Sequence, residues 1–111
     1  MLYELRSYWI EPSQLDAYLA WADTKALPVL QGECGFRLVG FWRVEGADGT
    51  DDDPPNVTWL LAWRDRAERE ERWAMARSSA SWAKINEDRP KFHRRPGAIR
   101  FLVGTPRSPF Q

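Results

Sequence analysis

The chain has 111 residues, enough for one domain with a single hydrophobic core and too few for two. Its 16 basic and 16 acidic residues cancel, so no net field draws it to nucleic acid or an anionic membrane surface. The lone cysteine, Cys34, excludes an internal disulfide, and no apolar run approaches the roughly 20 residues of a membrane span. With no basic start and apolar middle at the N-terminus, a cytoplasmic protein without membrane insertion is expected.

In chain order, Leu2 to Ile10 alternates as a strand, with Tyr3, Leu5, Ser7 and Trp9 on one face and Glu4, Arg6 and Tyr8 on the other. Ser13 is the expected N-cap of a first helix carrying Leu15, Tyr18, Leu19, Ala22 and Ala26 at helical spacing, with Gly32 as its C-cap. Gly35 to Glu45 reads as a second strand, and residues 46–56 as an acidic hairpin loop dense in turn formers. Val57 to Trp63, VTWLLAW, has no polar face and reads as a strand buried on both sides. Asp65 and Glu68 are spaced as a capping box, and Asp65 with Arg69 and Glu68 with Arg72 are spaced to pair along the helix that follows. That helix pauses near Ser78 and Ser79 and resumes through Trp82 and Ile85 until Pro90 stops it. His93 to Val103 is the last strand, and residues 104–111 form an extended proline-rich tail.

The order strand, helix, two strands, helix, strand predicts an α+β, ferredoxin-like βαββαβ fold, a four-stranded antiparallel sheet with both helices on one face. Its first and third strands are central, so VTWLLAW presents bulky apolar groups on the face the helices leave open. Each such group left in water forfeits roughly 1.5 to 3 kcal/mol. A second copy packed on the same face, as a homodimer, is the expected cover.

The opening YELRSYWIEPSQLDAYL, the stretch RLVGFWRVE, the segment WRDRAEREERW and the ending TPRSPF together resemble the NIPSNAP family, in the same order along nearly the whole of residues 1–111. The resemblance implies a dimeric α+β barrel, in which two ferredoxin-like sheets pack face to face. Relatives in the wider barrel group include cofactor-free monooxygenases, haem-degrading oxygenases, isomerases and cyclases, and the fold does not choose among them. Many NIPSNAP members carry a histidine in the third strand about where this chain has Trp59; a chemistry that depends on it is expected to be missing here.

Charged residues avoid a core, so Glu4 and Arg6, with Tyr8, are expected to point away from the helices, where Arg100 and Arg94 of the neighbouring last strand join them. Trp59 and Trp63 are assigned to the same open face, because the smaller Leu60 and Ala62 suit close helix packing. Glu4, Arg6, Tyr8, Trp59, Trp63 and Arg100 then form an aromatic cavity with an arginine end, suited to a flat apolar ligand carrying a carboxylate, phenolate or carbonyl oxygen. The same residues could instead be the polar part of a dimer contact, since interfaces too are rich in aromatics and arginine.

His93, the one histidine, shares parity with Ile99 and is expected outside this site, its proton affinity lowered by nearby cations. No cofactor or metal is expected: Asp51, Asp52 and Asp53 do not follow a calcium-loop spacing, and no phosphate loop, serine elbow or Cys/His pair is present. The wholly apolar third strand lacks the basic aromatic signature of RNA-recognition domains, so no nucleic-acid partner is expected. The function expected is a dimeric module that binds a small hydrophobic or aromatic ligand or a partner, of undefined activity. The alternative is a cofactor-free barrel enzyme, monooxygenase- or isomerase-like, acting on a hydrophobic aromatic metabolite.

Overall fold

Strict alternation draws Leu2–Ile10 into a long strand (β1) in the computed structural model, which describes residues 1–49 and 51–110. Thr50 of the acidic loop and Gln111 of the tail lie outside the described residues. β1 pairs antiparallel with Val57–Trp63 (β3) and His93–Val103 (β4), and β3 pairs with Arg37–Arg43 (β2), giving the order β2-β3-β1-β4. The expected ferredoxin-like α+β arrangement is therefore present, with β1 and β3 central.

The first helical segment differs in detail from its sequence reading. It opens with a tight turn, Pro12–Gln14, without a side-chain cap from Ser13, and becomes a helix over Leu15–Trp21 (α1). The backbone then widens into two i→i+5 turns, Ala22–Ala26 and Val29–Glu33, the Leu27 N–H donating to the Ala22 carbonyl and the Cys34 N–H to that of Val29. The segment stops at Gly35, whose φ of 70° suits glycine, and not at Gly32. Arg72 packs so closely on Gly35 that an added Cβ would sit 3.0 Å from its guanidinium.

Arg66–Ser78 (α2) starts as expected at Asp65, whose Oδ1 accepts from the Glu68 N–H at 2.8 Å. Glu68 does not return the bond to Asp65; it accepts from the Arg64 N–H and pairs with Arg37. Arg69 likewise leaves its helix neighbour Asp65 and turns inward to Glu4. Ser79 interrupts the helix and caps the next one, Ala80–Glu87 (α3), accepting from the Trp82 N–H at 3.1 Å. No helix of the described residues is long and apolar enough to cross a membrane.

The faces of β1 and β3 are reversed relative to expectation, whereas Arg100 of β4 faces away from the helices as expected. Even-numbered β1 residues and odd-numbered β3 residues meet the helices: Tyr8, Ile10, Val57, Trp59, Leu61 and Trp63 form one core with Tyr18, Leu30, Ala76 and Phe92. Glu4 goes with them and is fully buried, because two arginines and two indoles supply it with donors. Trp59 and Trp63 are correspondingly beneath the helices and not on the open face. The open face holds Leu5, Ser7 and Trp9 of β1 and Thr58, Leu60 and Ala62 of β3, with Trp42, Arg100 and Leu102 flanking them by strand register.

The 46–56 loop is strapped to this sheet. Asn56 pairs with both backbone groups of Ile10 at 2.8 Å, and the Trp9 indole donates to the Asp53 carbonyl at 2.8 Å. The Asp53 carboxylate holds Arg94 and Arg95, while Asp51 and Asp52 are exposed. In the tail the Ser108 N–H closes a turn onto the Thr105 carbonyl, and Phe110 is exposed.

Candidate functional site

Between the sheet and its helices lies a cavity of about 380 Å³, within the usual size range of small-molecule sites. β1 contributes Arg6 and Tyr8 to its wall, β2 Phe41, β3 Trp59, and β4 His93 and Ile99. The first helical segment supplies Tyr18, Trp21 and Leu30, with the small side chains of Ala22 and Ala26 leaving the space. Both i→i+5 turns contribute lining residues, so the widened backbone forms one wall. Trp73 of α2, Trp82 and Asn86 of α3, and Arg89 close the opposite side.

Arg6 is held rigidly. Its Nε donates to the Tyr8 hydroxyl at 2.7 Å and its Nη1 to Glu4 at 2.5 Å, while its guanidinium carbon lies 4.7 Å from the Trp73 ring centre and 5.6 Å from that of Trp59. Glu4 is saturated behind it, accepting from Arg6, from Arg69 through two bonds at 2.9 and 3.1 Å, and from the Trp63 and Trp73 indoles at 3.0 and 3.2 Å. Burial alone would raise the Glu4 carboxyl, but the bonds from Arg69 and Arg6 hold it below the usual carboxylate range. Glu4 is thus ionised and spent on positioning Arg6 and Arg69, with no oxygen left for a ligand.

His93 packs edge-on against Tyr8, ring centres 4.7 Å apart, and near Tyr18 at 6.1 Å. Burial, and then Arg89 and Arg6, depress its proton affinity below the ordinary value, so the imidazole is neutral at neutral pH. Burial pushes the Tyr18 phenol upward, Tyr8 adding to the effect and Arg89 and Arg6 opposing it. Gly97 also lines the cavity, and a Cβ there would stand 2.6 Å from the Tyr8 ring. Polar groups at the cavity wall are left without partners among the described residues. The Nε1–H of buried Trp59 meets no acceptor, and Arg89, stacked on Trp21 at 5.2 Å and Phe92 at 5.8 Å, makes no ion pair or side-chain hydrogen bond.

Of the six residues expected at the site, Arg6, Tyr8 and Trp59 line the cavity. Glu4 stands behind Arg6, and Trp63 is sealed in the core against Phe36 at 5.0 Å. Arg100 is opposite Leu5 in the β1–β4 ladder and exposed on the other side of the sheet, so its parity with Ala98 carries it away from the cavity. His93 is the converse case: its shared parity with Ile99, read as exclusion, brings it in. Tyr18, Trp21, Trp73, Trp82 and Arg89 were missed as lining residues. A signal for this face existed in the tryptophans, because a buried indole N–H requires an acceptor and Glu4 is the acidic residue in the first strand.

Comparison with solved structures gives the same fold. A NIPSNAP domain protein from Burkholderia xenovorans superposes with a TM-score of 0.83 at 19% identity, covering 98% of this chain and 99% of that one. A NIPSNAP family protein from Agrobacterium tumefaciens gives 0.81 at 20% identity, covering 99% and 98%. An antibiotic biosynthesis monooxygenase is more distant, at 0.59 and 15% identity over 96% of this chain and 100% of that one. Among curated proteins, none matches the sequence. The NIPSNAP family model matches residues 3–109, nearly the whole length over which the quoted segments run, and the chain belongs to the NIPSNAP family.

Proposed function

We propose that the protein binds a small, flat, largely apolar molecule in the cavity between its sheet and helices. The carrying observation is the cavity wall, in which aromatic rings from several elements surround about 380 Å³ of space while Arg6 is fixed at the edge by Glu4 and Tyr8. Rigid aromatic walls receive a planar ligand at little entropic cost, and a clamped guanidinium offers oriented donors to an oxygen on it. Residues 1–111 act as one domain, and two copies cover each other's open sheet face, where Trp42 and Leu102 are otherwise exposed and Leu60 half-buried. A cytoplasmic setting fits the unpaired Cys34.

The test is tryptophan fluorescence with a panel of planar aromatic compounds, joined to mass spectrometry of whatever copurifies. Saturable quenching at one ligand per chain is expected; failure of the entire panel together with clean protein would sink the reading. A second reading, a cofactor-free enzyme of monooxygenase or isomerase type, is favoured by one observation. The neutral His93 imidazole lies beside Tyr8 at the cavity wall, where it could accept a proton from a bound substrate. The fold shared with an antibiotic biosynthesis monooxygenase is compatible with it. Product formation from a bound panel compound, lost in His93→Gln, separates turnover from binding alone.

A further inference from the structure

We infer that the cavity selects aromatic monocarboxylates over their neutral analogues, and that Arg89 is the residue that sets this preference. The inference rests on the binding function proposed above and adds the charge of the ligand. Arg6 and Arg89 line the cavity, and Arg69 stands behind it, sharing the buried Glu4 carboxylate with Arg6. Arg69 also pairs with Glu70 at 2.9 Å, so these two arginines and two carboxylates cancel, and His93 is neutral. Arg89 is therefore the uncompensated charge at the cavity wall, stacked on Trp21 and Phe92 with no ion pair or side-chain hydrogen bond among the described residues. A half-buried guanidinium beside a low-dielectric cavity attracts an anion more strongly than one in water does.

The remaining donor points to the same chemistry. Trp59 is 4% exposed, lines the cavity, and its Nε1–H has no acceptor among the described residues. A buried donor without a partner costs free energy that an oxygen-bearing ligand would recover. Trp21, on which Arg89 rests, is itself a wall of the cavity, so one ligand can place its ring beside the indole and its charge at the guanidinium. Arg100 and Arg94 cannot serve in this role: Arg100 is on the far side of the sheet and Arg94 is paired with Asp53.

The experiment compares 2-naphthoate with 2-naphthamide, which share a ring system and differ in charge, by calorimetry on the full chain. The parent protein should bind the carboxylate roughly ten-fold more tightly, the scale of one charge-assisted bond, and the preference should shrink as salt is raised. Arg89→Gln should abolish most of that ratio while Arg100→Gln preserves it, with circular dichroism melting confirming that both variants fold. Equal affinity of the parent for the two probes, or an undiminished preference in Arg89→Gln, overturns the inference while leaving the binding function standing. If neither probe binds saturably at one per chain, the inference falls, and the fluorescence panel with mass spectrometry decides the binding function separately.

Discussion

Glu4 Oε1 lies 3.0 Å from the Trp63 indole nitrogen, and both side chains are fully buried, so a charge from the first strand is neutralised inside the core and not at the surface. Removing it leaves Arg6 with no carboxylate and Arg69 with Glu70 alone, although their side chains are only 15% and 16% exposed. Glu4→Gln should cost roughly 3 kcal/mol or more in urea unfolding, in line with broken buried pairs. Because the folded carboxyl titrates below its ordinary value, its contribution is complete above the unfolded value and is lost as pH falls through the folded one. A variant as stable as the parent at neutral pH would show that Glu4 is dispensable.

The space in the cavity depends on two alanines. Ala22→Phe should project a ring into it and weaken any quenching ligand at least roughly ten-fold, with a melting temperature within about 4 °C of the parent, since the added atoms fill a void and displace no packed side chain. Undiminished ligand quenching in the variant would place the ligand elsewhere.

His93 makes the cavity pH-sensitive. Arg89 and Arg6 face it as cations, and Tyr8 and Tyr18 as neutral rings. As pH falls through its depressed value, the imidazolium adds a positive charge, so 2-naphthoate should bind more tightly while the ligand-free protein loses stability, the unfolded chain taking up that proton already near pH 6.5. As the one histidine, it can be titrated directly by proton NMR with and without ligand. Bound naphthoate should raise its midpoint; an unchanged midpoint contradicts its position at the site.

The open face is the expected dimer contact. Leu60→Lys there, opposite Leu5 in the β1–β3 ladder, should convert a two-chain mass to a one-chain mass in light scattering at micromolar concentration, without loss of helical signal. A parent protein that already has the mass of one chain removes the basis for pairing.

Asn56 acts as one more rung of the sheet. Its amide satisfies both the N–H and the carbonyl of buried Ile10, so Asn56→Ala leaves two backbone groups unpaired at a cost of roughly 1 to 3 kcal/mol each, read from urea unfolding.

The strands of this fold were legible because their signal is local. Leu2–Ile10, Val57–Trp63 and His93–Val103 have the bounds that alternation and apolar content indicate. Which face meets the helices was not legible from the rule that charges avoid a core. Glu4 breaks that rule because its partners are scattered at positions 6, 63, 69 and 73, and only the folded chain unites them. Placing Glu4, Arg6 and Tyr8 away from the helices grouped them with Arg100, which does lie on that side, and separated them from His93, which shares their helix-facing side. The i→i+5 turns likewise have no compositional mark beyond Pro28, which lies between them.

Those turns give the cavity an unusual genetic exposure. Each holds one residue more than an α-turn of the same length, and successive residues are set about 100° apart around a helix. Deleting the exposed Asp23 would therefore relax the first turn to a regular helix, a repair as far as the backbone is concerned. It would also rotate Tyr18 and Trp21 away from Leu27 and Leu30, which share the cavity only because of the extra residue. The loss of one codon here would reshape the cavity wall while keeping a helix in place.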